Sequence, residues 1–161
     1  MTSKKLLLFP LALPAIAPLH AANVNAVTNN GDWEAAGTWS DNAAPAAAND
    51  YFVPSGIAID GYTGANVTTA VTRAFAGNSL TIQEGGSLYL DGGHNSSYPD
   101  WTYNISRLTL ENGGNLHFRG GAGTDFFLPN GFAVGGTNST VSIRHPAGSY
   151  DQPGRLGPIP G

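Results

Sequence analysis

The stretch NSLTIQEGGSLYLDGG, Asn78 to Gly93, and the stretch SRLTLENGGNLHFRGG, Ser106 to Gly121, carry one phrase twice. Aligned from Leu80 and Leu108, seven of fourteen positions are identical and the offset is 28 residues. In each copy two apolar alternations flank a glycine pair: Leu80/Ile82 and Leu88/Leu90 about Gly85-Gly86, then Leu108/Leu110 and Leu116/Phe118 about Gly113-Gly114. Alternation with a period of two marks half-buried strands. Recurrence at this interval marks a solenoid, in which each copy is one coil stacked on the last.

Stacking makes a demand that can be checked residue by residue, because neighbouring coils lie in parallel register about 4.8 Å apart. Leu80 on Leu108, Ile82 on Leu110, Leu88 on Leu116 and Leu90 on Phe118 give four apolar ladders. The alternate, outward positions put Thr81 on Thr109, Ser87 on Asn115, and His117 opposite Tyr89. They also put Asp91 on Arg119, an attractive pair where like charges would be disfavoured. The glycine pairs stack as identical corners, where residues with a Cβ are restricted.

Other segments extend the pattern. FVPSGIAIDG, Phe52 to Gly61, echoes FLPNGFAVGG, Phe127 to Gly136, at an offset of 75 residues, close to three coils. Val67 to Val71 and Thr140 to Ile143 read as further short strands. The sequence therefore predicts an all-β chain built as a short right-handed parallel β-helix over residues 51–145, with loop excursions at Gly92–Tyr103 and Gly120–Asn130. Residues 23–50 form an N-terminal aromatic cap, and residues 146–161 a tail whose prolines and glycines disfavour strand interiors. A β-sandwich is the alternative, since its strands also recur at short intervals and a hairpin meander would use the glycine pairs as turns.

The chain opens MTSKKLLLFPLALPAIAPLHAANVNA. Lys4 and Lys5, an apolar run from Leu6 to Leu19, and small residues at Ala21, Ala22 and Ala26 read as a secretory signal peptide over residues 1–22, with cleavage at Ala26 as the alternative. The run is too short and too rich in proline for a membrane span. Cleavage removes both lysines and leaves five arginines against eleven acidic residues. An acidic surface without a basic patch argues against nucleic acid and against insertion of the mature chain into anionic membrane. The absence of cysteine excludes a disulfide framework and a thiolate metal site, and in an exported chain it fits a bacterial envelope. The glycosylation patterns at Asn66, Asn95, Asn104 and Asn138 are then read as coincidences of composition.

The stretch NGDWEAAGTWSDNAAPAAANDYFVPSG, followed by FAGNSLTIQEGGSLYL and LTLENGGNLHF, resembles the N-terminal part of large bacterial surface proteins of Verrucomicrobia and Planctomycetes, related to autotransporter passenger domains with β-strand repeats. The likeness runs from about Asn30 to Phe118 and is more specific for architecture than for function. It implies an exported right-handed parallel β-helix. Relatives of that kind often end in a Pro-Glu-Pro sorting tag or an outer-membrane barrel, whereas this sequence ends QPGRLGPIPG, as a fragment of a longer protein would.

Three groups of residues carry candidate chemistry. Trp33, Trp39 and Tyr51, interleaved with Asp32, Asp41 and Asp50, are read first as the cover of the first coil and second as an aromatic platform for sugar rings. The excursion DGGHNSSYPDWTYN supplies the ligand-binding candidates His94, Tyr98, Asp100, Trp101 and Tyr103, because loops on a rigid scaffold are where binding residues gather. The competing reading makes the excursion a set of turns whose aromatics pack back on the coil. Asp91, Asp100 and Asp125 are the oxygen ligands on which calcium would depend, but no EF-hand loop or tandem calcium repeat is present, and no cofactor is expected.

His94, His117 and His145 lack zincin spacing, and there is no Gly-x-Ser-x-Gly elbow and no Gly-x-Gly-x-x-Gly phosphate cradle. The expectation is a non-enzymatic, extracellular or cell-surface structural or adhesin-like protein. A carbohydrate-binding module and a polysaccharide-degrading β-helix enzyme are the alternatives. Polysaccharide or another surface component is the expected partner, with self-association through the exposed C-terminal coil.

Overall fold

The computed structural model describes residues 21–62, 71–92, 101–119, 125–144 and 155–157. Within them the chain is all-β apart from a single 3-10 turn at Ala36–Thr38, and it winds into a parallel β-solenoid. Strands β1 (Asn23–Asn25) and β2 (Gly31–Asp32) open it. Three complete coils follow: β3 (Asp50–Val53), β4 (Ala58–Asp60) and β5 (Val71–Ala74); β6 (Ser79–Ile82), β7 (Ser87–Asp91) and β8 (Trp101–Asn104); β9 (Leu108–Leu110), β10 (Asn115–Arg119) and β11 (Asp125–Phe127). Strands β12 (Ala133–Val134), β13 (Thr140–Arg144) and β14 (Arg155–Gly157) close the described chain.

Stacking produces a three-sided prism. The first side is β1-β3-β6-β9-β12, the second β2-β4-β7-β10-β13, and the third β5-β8-β11-β14. All pairings between these strands are parallel, which rules out the sandwich and the hairpin meander. Leu80 pairs with Leu108, Ile82 with Leu110, Leu88 with Leu116 and Leu90 with Phe118, in the register expected from the repeat.

The ladders run further than the repeat itself. Val24, Tyr51, Leu80 and Leu108 form one row, and Val53, Ile82, Leu110 and Val134 the next. Ile59, Leu88, Leu116 and Val141 form a third, on the second side. All are 2 % exposed or less except those of the last coil. Full burial of such a side chain contributes about 1.5–3 kcal/mol, so the rows hold the coils together.

The corner between the first and second sides is where the glycine pairs act. Gly85 and Gly113 have φ of 72° and 81°. A Cβ on Gly86 or Gly114 would lie 2.3 Å from the Val53 carbonyl oxygen or 2.4 Å from that of Ile82. The pair therefore supplies a left-handed turn and a close backbone approach at successive residues. The corners are stitched along the axis by Gly56 N–H donating to Gly85 O at 3.1 Å and Gly85 N–H donating to Gly113 O at 3.0 Å.

Several boundaries differ from the sequence reading. Coiling starts at Asn23, not Tyr51, because β1 and β2 join the first and second sides within the segment expected to be only a cap. The excursion Gly92–Tyr103 is shorter, since Trp101–Asn104 is β8, and the excursion Gly120–Asn130 contains β11. Val71 begins β5, while 67–70 lie outside the described residues. The tail contributes β14 against β11, in the proline-free interval between Pro153 and Pro158 where every N–H can pair. The 75-residue echo joins non-equivalent corners: Phe52 is in register with Thr81, Thr109 and Ala133, whereas Phe127 pairs with Thr102. The two copies share only a turn, with Gly56 and Gly131 both at positive φ.

Candidate functional site

Around the first two complete coils two corners are short and one is long, while around the third all three connections are four or five residues. First-to-second connections are 54–57, 83–86 and 111–114, and third-to-first connections are 75–78, 105–107 and 128–132. Second-to-third connections are 61–70, 92–100 and 120–124, so the two longest connections, of ten and nine residues, fall at a single edge. Long connections on a rigid scaffold are where binding groups concentrate. The described side chains flanking that edge form two groups.

The outer group sits at the C-terminal ends of the second-side strands. Arg119 donates from Nε and Nη2 to the Asp91 carboxylate at 2.5 and 2.7 Å, and from Nη2 to Asp60 Oδ1 at 2.5 Å. One guanidinium therefore ties three consecutive coils. It also lies 4.0 Å from the centroid of the Tyr89 ring, which stacks on His117 at 4.8 Å, and His117 Nδ1 lies 2.6 Å from Ser142 Oγ. Burial pushes the Asp60 carboxyl above its ordinary range in spite of Arg119. Because that folded-state value is raised, Asp60 favours the fold at low pH, and its contribution is lost as pH rises through it. Burial alone would lower Arg119, but hydrogen bonds to Asp91 and the charges of Asp91 and Asp60 raise it.

The inner group lies behind the same edge. Trp101 and Tyr103, expected on a projecting loop, belong to β8, face the interior and are 0 % exposed. The physical reason is register: Trp101 pairs with Val71 and Tyr103 with Arg73, so alternation turns both aromatics inward. The Tyr103 hydroxyl donates to the Asp91 carbonyl, and burial, then the Asp91 charge, raises its pKa. His94, Tyr98 and Asp100 lie outside the described residues, and the rings of Trp101 and Tyr103 stack at 6.1 Å. The Tyr62 ring meets Trp101 at 4.9 Å, and the Arg73 guanidinium lies 5.2 Å from the Tyr62 centroid.

Arg73 occupies the same face as Tyr103, at the end of the third side where the opening coil supplies no strand. Asp32 reaches it from β2 at 3.6 Å and Glu34 from the following turn at 3.0 Å. Trp33 packs on Tyr103 at 5.7 Å. Three buried donors of this contiguous group, Trp33 Nε1, Arg73 Nε and Trp101 Nε1, have no acceptor among the described residues. Such a donor costs roughly 1–3 kcal/mol, and buried polar groups are nearly always paired.

Trp33, Trp39 and Tyr51 are the end cover and not an exposed sugar platform, at 0 %, 1 % and 0 % exposure. Among the described residues no three His, Cys, Asp or Glu side chains group to hold a metal ion, and both Asp91 oxygens are engaged by Arg119. Tyr62, Arg73 and Asp60 were missed by sequence reasoning. Asp60 is the recoverable one, because the Asp91–Arg119 pair points back one coil to the adjacent row. Tyr62 and Arg73 have no counterpart in the repeat.

No protein-family model, curated protein or solved structure matches this chain.

Proposed function

We propose that the chain is an exported, non-enzymatic surface protein whose coils form a rigid stalk and whose second-to-third edge faces its surroundings, as in a structural or adhesin-like β-helix. The observation that supports this reading most is the asymmetry of the connections. Two corners are turns of three to five residues, and the insertions of up to ten residues fall on the third. A scaffold of stacked coils keeps most of its sequence regular and gathers variation where it meets a partner. A polysaccharide or another surface component is the partner this reading carries. The last coil is where a second copy would add strands, an effect that sedimentation at rising concentration detects.

The test is expression of the full chain with a C-terminal epitope in a Gram-negative host, followed by fractionation and N-terminal sequencing. Export predicts a mature N-terminus at Asn23, from cleavage after Ala22, or at Val27, from cleavage after Ala26, with the epitope in the envelope or medium. A cytoplasmic product that keeps residues 1–22 contradicts the reading.

A further inference from the structure

We propose that the Tyr62–Arg73–Trp101 group is a binding subsite for a neutral saccharide. This goes beyond the surface role above and does not depend on export. Ring contacts make the group continuous: Trp33 on Tyr103, Tyr103 on Trp101 at 6.1 Å, Trp101 on Tyr62, and Arg73 over Tyr62. Within it lie the three buried N–H donors that lack acceptors among the described residues. Donors in such a setting call for oxygen atoms, and a pyranose presents several hydroxyl oxygens beside apolar C–H faces that aromatic rings cover.

Charge selects among oxygen-bearing ligands. The Arg73 guanidinium already faces two carboxylates, Glu34 at 3.0 Å and Asp32 at 3.6 Å, so the group carries a surplus negative charge. An anionic ligand is repelled there, and a neutral sugar is not. Access comes from the rim, where Tyr62 is half-buried and the Arg73 and Glu34 side chains are 21 % and 48 % exposed. Trp33 and Trp101 lie behind it, fully enclosed. Tyr62 is the ring a sugar meets first, and it packs directly on Trp101 at 4.9 Å.

The experiment is a tryptophan-fluorescence titration of the purified chain with three neutral probes, the β-1,4-linked hexamers of glucose, mannose and xylose, and one acidic probe, oligogalacturonate. A saturable change with a neutral hexamer is expected. Arg73→Lys keeps the positive charge opposite Asp32 and Glu34 but removes the Nε donor, and Tyr62→Ala removes the rim ring. Each is expected to weaken binding at least tenfold, with far-UV circular dichroism unchanged. If Arg73→Lys fails to fold, Tyr62→Ala, at a half-buried position, carries the test. No saturable response to any neutral hexamer overturns the proposal, as does a response to the acidic probe alone. A response left intact in the folded variants overturns it too.

Discussion

The two ends of the solenoid are built from the same ladders and finish differently. At the N-terminal end Trp33, Trp39 and Tyr51 are almost wholly enclosed, whereas in the last coil Val134 and Val141, which hold the same inward rows, are 52 % and 42 % exposed. The closed end is made by chain outside the repeat. Trp39 packs on Tyr51 at 4.8 Å, its indole N–H donates to the Trp33 carbonyl at 2.8 Å, and the Tyr51 hydroxyl accepts from Ala46 N–H at 2.8 Å. Ala26 and Trp39 add an antiparallel bridge across that end. Register decides what lies inside a coil, but closure of an end needs residues that abandon the repeat.

The largest expected effect comes from opening the closed end. Trp39→Ala should lower stability by about 3–5 kcal/mol in equilibrium denaturation, the range for deleting a large buried aromatic. A loss under about 1 kcal/mol would mean that the cover is not part of the folded unit. One ladder sampled at two heights sharpens the contrast. Leu88→Ala, in mid-solenoid, should cost about 2–5 kcal/mol, while Val141→Ala, in the same row of the last coil, should stay within about 0.5 kcal/mol. Equal losses at the two heights would break the comparison.

A smaller effect concerns pH. Hydrogen bonds from Ser79, at 2.5 Å, and Asn78, at 2.8 Å, hold the Asp50 carboxyl below its ordinary value of 3.8, with Arg107 at 3.5 Å adding to the shift. A lowered folded-state value gives stability that is present above 3.8 and lost as pH falls through the folded value. The melting temperature of Asp50→Asn should therefore fall less steeply than that of the unmodified chain on acidification below about pH 5. Parallel curves would remove Asp50 from the closed half's stability.

The middle of the fold was legible because stacking constrains both faces of a strand at once. Leu80/Leu108 on the inside and Asp91/Arg119 on the outside gave one register, and it is the register present. Shorter strands escaped for a physical reason. β2 has two residues and β14 three, too few for alternation to show, and their pairing is set by the edges of β4 and β11. The placement of Trp101 and Tyr103 on the loop was misjudged, since proximity to turn residues concealed a period-two pair facing inward. Arg73 was illegible because an inward arginine makes sense only beside Asp32 and Glu34, which come from another coil.

The central claim is parallel, in-register stacking, and the chain's lack of cysteine makes it directly testable. Thr81 and Thr109 are register partners on the outer face of the first side, while His117 lies on the second side. Strands about 4.8 Å apart bring paired Cα atoms within the roughly 4.4–6.8 Å that a disulfide spans. Oxidation of the double variant Thr81→Cys/Thr109→Cys should give a monomeric, cross-linked and folded product, and Thr81→Cys/His117→Cys should not cross-link under the same conditions. Cross-linking of the second pair with failure of the first would contradict the solenoid.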